Sequence, residues 1–593
     1  MAKVTDPSRH WRELRTAPIV PLPRGADNYR VNTPVHAPEH RAEPLNQPPP
    51  LTDYNLFLSD PALTEAVRRL AAGWAVERIA ELGRILGSEP AQQWGFEANE
   101  NPPVLHTHDR YGARLDEVVF HPAWHNLMQL SMEHQLHSLP WLEQRAGAQV
   151  ARAALLMITA QNEAGHTCPI SMTFSGVAAL QAEPDLLREW QQKILSSTYD
   201  PRFAPAPEKA GVLLGMGMTE KQGGSDVRAN ITRAERIGSS REYLITGHKW
   251  FCSAPMCDAF LVLAQAEKGL SCFFLPRWTS KGDKNNFFIQ RLKDKMGNRS
   301  NASSEVEFQN AWARLVGEEG RGVATIIEMV NYTRLDCALA AAALMRQALA
   351  QAVHHCSHRK AFGKRLIEQP LMRNVLADLA LESEAATLLA MRLAAAFDAR
   401  ESSESERAFA RIATAISKFW LCKRAPVQVG EALECLGGNG YVEESIMPRL
   451  CREAPLYSIW EGSGNVICLD ILRALSREPS AVEALVQEFR SAQKTADQPR
   501  LSDFLKAVES ELHLAVKTGG GTTEAGARRL AEDLALALQA SLMVRYAPEA
   551  NATLFLRARL GEDRGSTFGT LPQTSDVGPI LERVAMPLAA MSQ

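Results

Sequence analysis

Glu461 is the residue best suited to proton chemistry. It lies in Ile459-Trp460-Glu461-Gly462-Ser463-Gly464-Asn465. A carboxylate works as a base near neutral pH when it is partly desolvated, because burial raises its pKa. The aromatic neighbour can wall off water, and the glycine lets backbone approach a reactant. Arg473 follows twelve residues later. On a helix beginning near Asn465 it would pair with Glu461 and lower its pKa. A second stretch is Met218-Thr219-Glu220-Lys221-Gln222-Gly223-Gly224-Ser225-Asp226-Val227, after the strand-like run 212–217. Its glycines and Ser-Asp pair make a loop whose backbone N–H groups can meet a flat polar ligand. Thr219 and Ser225 add hydroxyls. Each pattern by itself is also an ordinary turn.

Such residues need elements to hold them, and the periodicity of the chain supplies three kinds. Residues 1 to 50 hold ten prolines and few large apolar residues, a composition expected of a disordered arm. Residues 51–209 show helical spacing, with Leu63, Val67, Leu70 and Trp74 on one face. Ser59-Asp60-Pro61 reads as a helix entry. From 210 to 322 the period falls to two, in short runs such as 242–247 and 270–275, so an all-β domain is expected. The helical period returns over 323–478, with short connections, as in an antiparallel bundle. Residues 479–593 read as an appended helical domain, with a Gly519-Gly520-Gly521 linker between two helices.

Bulk composition narrows the class. At 593 residues, with 45% hydrophobic and 22% charged content, the chain reads as a multidomain globular protein. Ten cysteines stand without a Cys-x-x-Cys pair, as in the reduced core of a cytoplasmic protein. His121, His125 and His134 lie among apolar residues, and no metal site is expected. No apolar run approaches the ~20 residues a membrane helix needs, and no secretion signal is visible. The net charge of −3 argues against a strongly basic nucleic-acid binder overall. From Arg473 onward 14 Lys plus Arg face 15 Asp plus Glu, although Arg528, Arg529, Arg545, Arg557, Arg559 and Arg564 could cluster in space.

Taken in order, the motifs resemble the acyl-CoA dehydrogenase family over roughly residues 50 to 478, and the ten-residue loop resembles its AidB-like branch, flavoproteins of the bacterial response to DNA alkylation. The resemblance implies a fold that is mainly α with a central β-barrel-like domain, and FAD as cofactor. It implies Glu461 as the base that removes the α-proton of an acyl-CoA. Thr333 stands where some members of the family carry their base instead. Met218, Thr219, Gly224 and Ser225 would contact the flavin. Gly247-His248-Lys249-Trp250-Phe251-Cys252-Ser253 would place Phe251 on the isoalloxazine, with Cys252 and Ser253 beside it. Arg359, Phe362 and Gln369 resemble an Arg-x-x-Phe-Gly signature that reaches the cofactor of a neighbouring subunit, which implies a homotetramer. Gly438 lies in a second glycine-rich cofactor segment, and Glu434 stands where the family often has Gln. Trp460, Ser463 and Asn465 flank the base. Double-stranded DNA is the further partner implied, and weak dehydrogenation of a short branched substrate such as isovaleryl-CoA the activity. An ordinary metabolic acyl-CoA dehydrogenase and a non-catalytic, flavin-stabilised DNA-binding protein are the alternatives.

Overall fold

The computed structural model describes residues 45–495, 498–517, 524–561 and 564–591. The expected arm lies almost wholly outside the described residues, as does the Gly519–Gly521 linker. The chain then folds as helices, a small barrel and helices again. The N-terminal helices are α1 (Pro61–Arg69), α2 (Val76–Gly87), α3 (Glu89–Glu100), α4 (Pro122–Glu133), α5 (Ala148–Asn162), α6 (Thr167–Leu180) and α7 (Pro184–Ile194). Asp60 caps α1 by accepting from the Leu63 N–H at 3.2 Å, with Pro61 in the first turn. A hairpin of β1 (Val104–His108) and β2 (Arg114–Val119) interrupts the helices. The helical reading passed over it, although Tyr111-Gly112 carries the left-handed glycine of its turn.

The strands β3 (Leu214–Gly217), β4 (Arg233–Arg236), β5 (Glu242–Ser253), β6 (Ala259–Ala266), β7 (Gly269–Pro276), β8 (Phe287–Leu292) and β9 (Ser303–Val316) form one sheet. The pairings β6–β4, β4–β5, β5–β9, β9–β7 and β7–β6 return to their starting strand. The sheet is therefore closed into a barrel, and β3 and β8 flank it. Alternate side chains fill the inside. The Phe260 and Phe287 rings stack at 4.9 Å, and Tyr243 meets Phe273 edge-on at 4.9 Å.

The C-terminal bundle is built on α8 (Gly322–His358), α9 (Pro370–Ala399) and α10 (Glu404–Cys435), followed by α11 (Met447–Glu453) and α12 (Gly464–Arg477). α8 is buried along most of its 37 residues, so it is apolar on nearly every side. Arg152 on α5 forks onto both Asp336 oxygens on α8 within this core. The remaining helices, α13 (Pro479–Thr495), α14 (Pro499–Lys517), α15 (Ala527–Tyr546), α16 (Glu549–Leu560) and α17 (Gly578–Met591), do not stand apart as an appended body. They belong to the same compact unit as the bundle. Arg559 on α16 reaches Asp378 at 2.6 Å and Glu382 at 3.0 Å on α9, both fully buried. Arg583 on α17 joins Glu384 on α9 and Glu65 on α1. No described helix is long and apolar enough to cross a membrane.

One buried ion pair fixes where the barrel presents its loop. Lys249 on β5 meets Glu220 at 2.8 Å, with both side chains at 0% exposure. Burial alone would raise the Glu220 carboxyl, but the charge and hydrogen bond of Lys249 and the N–H groups of Ile231 and Thr232 hold it down at about 2. Lys249 Nζ also donates to Leu263 O at 2.7 Å. Removing one member of such a pair leaves the other charge buried alone, which costs about 3–5 kcal/mol. Lys249→Met should therefore lower the unfolding free energy from denaturant titration by that amount at pH 7. The Glu220 contribution exists above the ordinary carboxylate range and fades as pH falls toward 2, so the gap between variant and wild type should narrow in acid. An unfolding free energy within about 0.5 kcal/mol of wild type would rule the pair out as the anchor.

Candidate active site

Glu461 sits in a left-handed turn between α11 and α12, with φ 57°, and Gly462 follows at φ 105°. A glutamate in this region carries about 1–3 kcal/mol of strain, so its surroundings must hold it there. Two cations do so through the backbone. Lys418 Nζ on α10 donates to Trp460 O at 2.9 Å and also to Gly462 O. Arg334 Nε on α8 donates to Glu461 O at 3.0 Å. Arg334 is itself fixed by Asp470 on α12 at 2.9 Å.

The side chain turns inward. Glu461 Oε2 accepts from Thr333 Oγ1 on α8 at 2.7 Å. The position of an alternative base and the base itself are thus in contact. Glu461 Oε1 accepts no hydrogen bond from the described residues, so this oxygen is open to a reactant. Burial raises the Glu461 pKa; the Thr333 hydrogen bond and the charges of Arg334 and Lys418 partly offset it. The expected partner, Arg473, does not reach. Its side chain is 60% exposed and lies 3.7 Å from Asp470. On α12 it falls on the outer face, and Arg334 takes the inner one.

Cys168, at the start of α6, joins the turn to the barrel. Burial pushes its thiol up to about 12, with the Glu461 charge adding to this and hydrogen bonds with Asn301 and Ser253 opposing it. Ser253, at the end of β5, is thus within hydrogen-bond reach of this thiol, and the Glu461 charge acts on it. A register shift between Lys249 and Cys252 bulges β5, and Phe251 stands out at 56% exposure. Cys252 is turned into the barrel core. Lys293 Nζ lies 3.9 Å from the Trp250 ring centroid and 4.4 Å from that of Phe251.

The 218–226 loop is tied down beside this bulge. Thr219 O accepts from Trp250 N at 2.9 Å, and Met218 O accepts from Asn230 Nδ2 at 2.9 Å. A Cβ at Gly224 would lie 2.5 Å from Thr219 Oγ1, so any side chain there would have to displace the Thr219 hydroxyl. Gly224 and Ser225 are exposed. Hydroxyl and amide donors thus border an exposed phenylalanine ring, and the Nε1 of Trp460 is buried without a partner among the described residues. This donor and ring set fits a flavin.

Arg359, Phe362, Gln369 and Gly438 lie elsewhere. The first three surround a tight hairpin after α8, where Phe362 is 97% exposed at φ 51° and Gln369 Nε2 donates to Ala361 O at 2.9 Å. Cys356 Sγ contacts Cys435 O at 3.7 Å, which brings this hairpin near Gly438. From Thr333 to Arg359 α8 rises about 40 Å at 1.5 Å per residue. Within one copy Glu461 meets α8 and α10, and the 218–226 loop meets β5 beside Phe251, while Arg359, Phe362, Gln369 and Gly438 sit at the far end of the bundle.

Three family signatures cover the chain in this order. Residues 46–201 match the adaptive response protein AidB N-terminal domain, 215–311 the acyl-CoA dehydrogenase middle domain and 320–476 the acyl-CoA dehydrogenase C-terminal domain. The AidB protein of Escherichia coli (strain K12) is 51% identical over 75% of this chain and 82% of its own length. The chain belongs to the acyl-CoA dehydrogenase family, in its AidB-like branch. Acyl-CoA dehydrogenase family member 11 of Caenorhabditis elegans is 31% identical over 84% of this chain and 85% of its own. The crystal structure of C. elegans ACDH-11 in complex with C11-CoA superposes with a TM-score of 0.79 at 27% identity, over 88% of this chain and 93% of that one. As a family member the chain is an FAD-dependent acyl-CoA dehydrogenase-type oxidoreductase.

Sequence reasoning missed Lys418 and Cys168, because each sits inside an ordinary helical pattern that gives no motif. Arg334 was passed over beside Thr333, although a cation three turns into an apolar helix needs a partner.

Thr333 stabilises the ionised base by donating to it, so its loss should raise the Glu461 pKa further. The base is competent above that pKa. In Thr333→Val the acid limb of the rate–pH profile should therefore move up by about one pH unit. A profile superimposable on wild type would remove Thr333 from this role.

Proposed function

We propose that the chain slowly dehydrogenates a short branched acyl-CoA of isovaleryl-CoA size, within a cellular response to DNA alkylation. The observation that carries the chemical part is Glu461, a half-buried carboxylate with one oxygen fixed by Thr333 and the other open. Burial raises its proton affinity, the direction that suits removal of an α-proton. Lys418 and Arg334 set the turn and temper the basicity, which fits slow turnover. The C11-CoA complex of ACDH-11 supports an acyl-CoA as ligand class. FAD, when bound, supplies the acceptor for the β-hydride. In this reading Thr219, Ser225, Ser253 and the face of Phe251 hold the flavin, and Glu461 holds the abstracted proton at Oε1.

The roughly 40 Å along α8 supports a homotetramer. Arg359, Phe362, Gln369 and Gly438 then serve the cofactor of a second copy. Phe362, a bulky ring held at a strained φ and almost wholly exposed, suits an anchor in such an interface.

Double-stranded DNA is the second ligand that the AidB-like resemblance brings. The arginines after Arg473 weigh on it. Arg545 pairs with Glu488, Arg559 with Asp378 and Glu382, and Arg529 with Asp533. These three of the six are engaged inward or along their own helix, which weighs against an outer cluster built on them.

Anaerobic mixing of the holoprotein with a panel of acyl-CoAs should bleach the flavin most with the short branched member. Glu461→Gln should keep its FAD and slow bleaching by about 10³-fold; equal bleaching by the variant would exclude Glu461 as the base. For DNA, a gel-shift series in rising salt should give a slope near one to three released counterions, well below that of a dedicated binder. A slope near ten would restore a basic DNA-binding face.

A further inference from the structure

The connection between β8 and β9, residues 293–302, leaves the barrel and docks between two helical parts of the chain. Its base belongs to the end of β5 that carries Phe251 and Ser253. Lys293 N donates to Ser303 O at 2.8 Å and closes the connection, and Ala254 N donates to Ala302 O at 2.7 Å. Ser303 pairs with Ser253, and Ser304 Oγ donates to Cys252 O at 2.8 Å. The tip is held from outside the barrel by two carboxyl groups. Asn298, in the left-handed region at φ 54°, donates its N–H to Glu453 Oε1, at the end of α11, at 2.7 Å. Ser300 Oγ donates to Glu163 Oε1, between α5 and α6, at 2.8 Å. All four residues are buried. The fit leaves no room on either side: a Cβ on Gly297 would run into Arg452 O, and one on Gly165 into Ser300 Oγ.

The two carboxyls play different parts. Burial and the Glu163 charge push Glu453 up to about 7, against the Asn298 N–H and the charges of Arg449 and Lys295. Burial would raise Glu163 as well, but its hydrogen bonds and the charge of His166 hold it down at about 2. Neighbouring buried carboxyls do not both ionise readily, so an anion and a largely protonated acid grip the same connection. Glu453 also leads into the turn of the base. Tyr457, one turn further on, meets the Trp460 ring edge-on with centroids 5.6 Å apart, and Glu461 follows Trp460. Glu453 is thus where the segment carrying the base meets the connection that carries the end of β5. Dehydrogenation takes a proton to one side of this junction and a hydride to the other. A misplacement of about 1 Å between reacting groups can cost ~10²-fold in rate.

We propose that Glu453 and Glu163 are positioning residues for the dehydrogenation: by gripping Asn298 and Ser300 they set the spacing between Glu461 and the flavin face at Phe251 and Ser253. Neither carboxyl touches a reactant. The assignment rests on the FAD and Glu461 reading of the site and deepens it.

The holoprotein is mixed anaerobically in D2O with the acyl-CoA that bleaches wild type best, and deuterium at the α-carbon of the recovered acyl-CoA is measured against flavin bleaching. Exchange breaks the α C–H bond, passes the proton to Glu461 and returns a deuteron to the same carbon, with no hydride transferred; bleaching needs both transfers. Glu453→Ala and Ser300→Ala should each slow bleaching by about tenfold or more while exchange falls by less than about threefold. The ratio of exchange to bleaching then rises, with FAD retained. A loss of folded protein would lower both rates together and leave that ratio alone. Glu453→Gln keeps the acceptor for Asn298 and the neutral form, so it should recover most of the lost bleaching. Ser300→Ala leaves Glu163 with Asn99, Gly165 and His166 as donors, so it should keep a thermal midpoint near wild type and stands as an independent arm. A wild-type ratio in both Ala variants overturns the assignment, and so does Glu453→Gln bleaching as slowly as Glu453→Ala. Wild-type holoprotein that neither exchanges nor bleaches overturns the dehydrogenase reading, and the assignment with it.

Discussion

A glutamate held in the left-handed region is the constraint on which the active site depends. Glu461 at φ 57° would relax into an extended or helical conformation if its neighbours allowed it. They do not, because Lys418 on α10 takes the carbonyl groups of Trp460 and Gly462, and Arg334 on α8 takes that of Glu461. Those hydrogen bonds are charge-assisted and half-buried, so each is worth more than a neutral one. The outcome is a carboxylate aimed at Thr333 and not at solvent.

The rest of the bundle can be read as support for that turn. Arg334 is useful only because Asp470 on α12 holds it, and Asp470 also receives Arg411 at 3.0 Å. α8 carries Thr333, Arg334 and Asp336 on successive sides within one turn, and every side is covered. α5 answers Asp336 with Arg152, α12 answers Arg334, and the Glu461 turn answers Thr333. Buried charges are tolerated here because each has a partner. The same rule anchors the barrel, where Lys249 and Glu220 hold the 218–226 loop against the β5 bulge, and it fastens the C-terminal helices through Arg559 and Arg583.

Much of this was legible in the chain itself. The change of period from helical to alternating and back marks the barrel between two helical parts, because a helix and a strand bury different sets of positions. Aromatic-Glu-Gly and the Gly-Gly-Ser-Asp loop stand out for a related reason: their conformations demand particular residue types, Gly224 against Thr219 most of all. Glu220, by contrast, belongs to the same motif yet serves as a strut, and nothing local distinguishes it from a ligand.

Residue types and their spacing by themselves determined the class of fold, and through the family resemblance they singled out Glu461 and the 218–226 loop as candidates. Tertiary structure alone decided which cation meets that base. Arg473 and Arg334 are equally plausible along the sequence, but the rotation of α12 sends one outward and the bend of the Glu461 turn brings the other in. It alone placed Arg528 against Asn465, across 63 residues. Pairings of this kind depend on how helices are rotated and packed against each other, and that is settled by the summed fit of many side chains rather than by any short pattern.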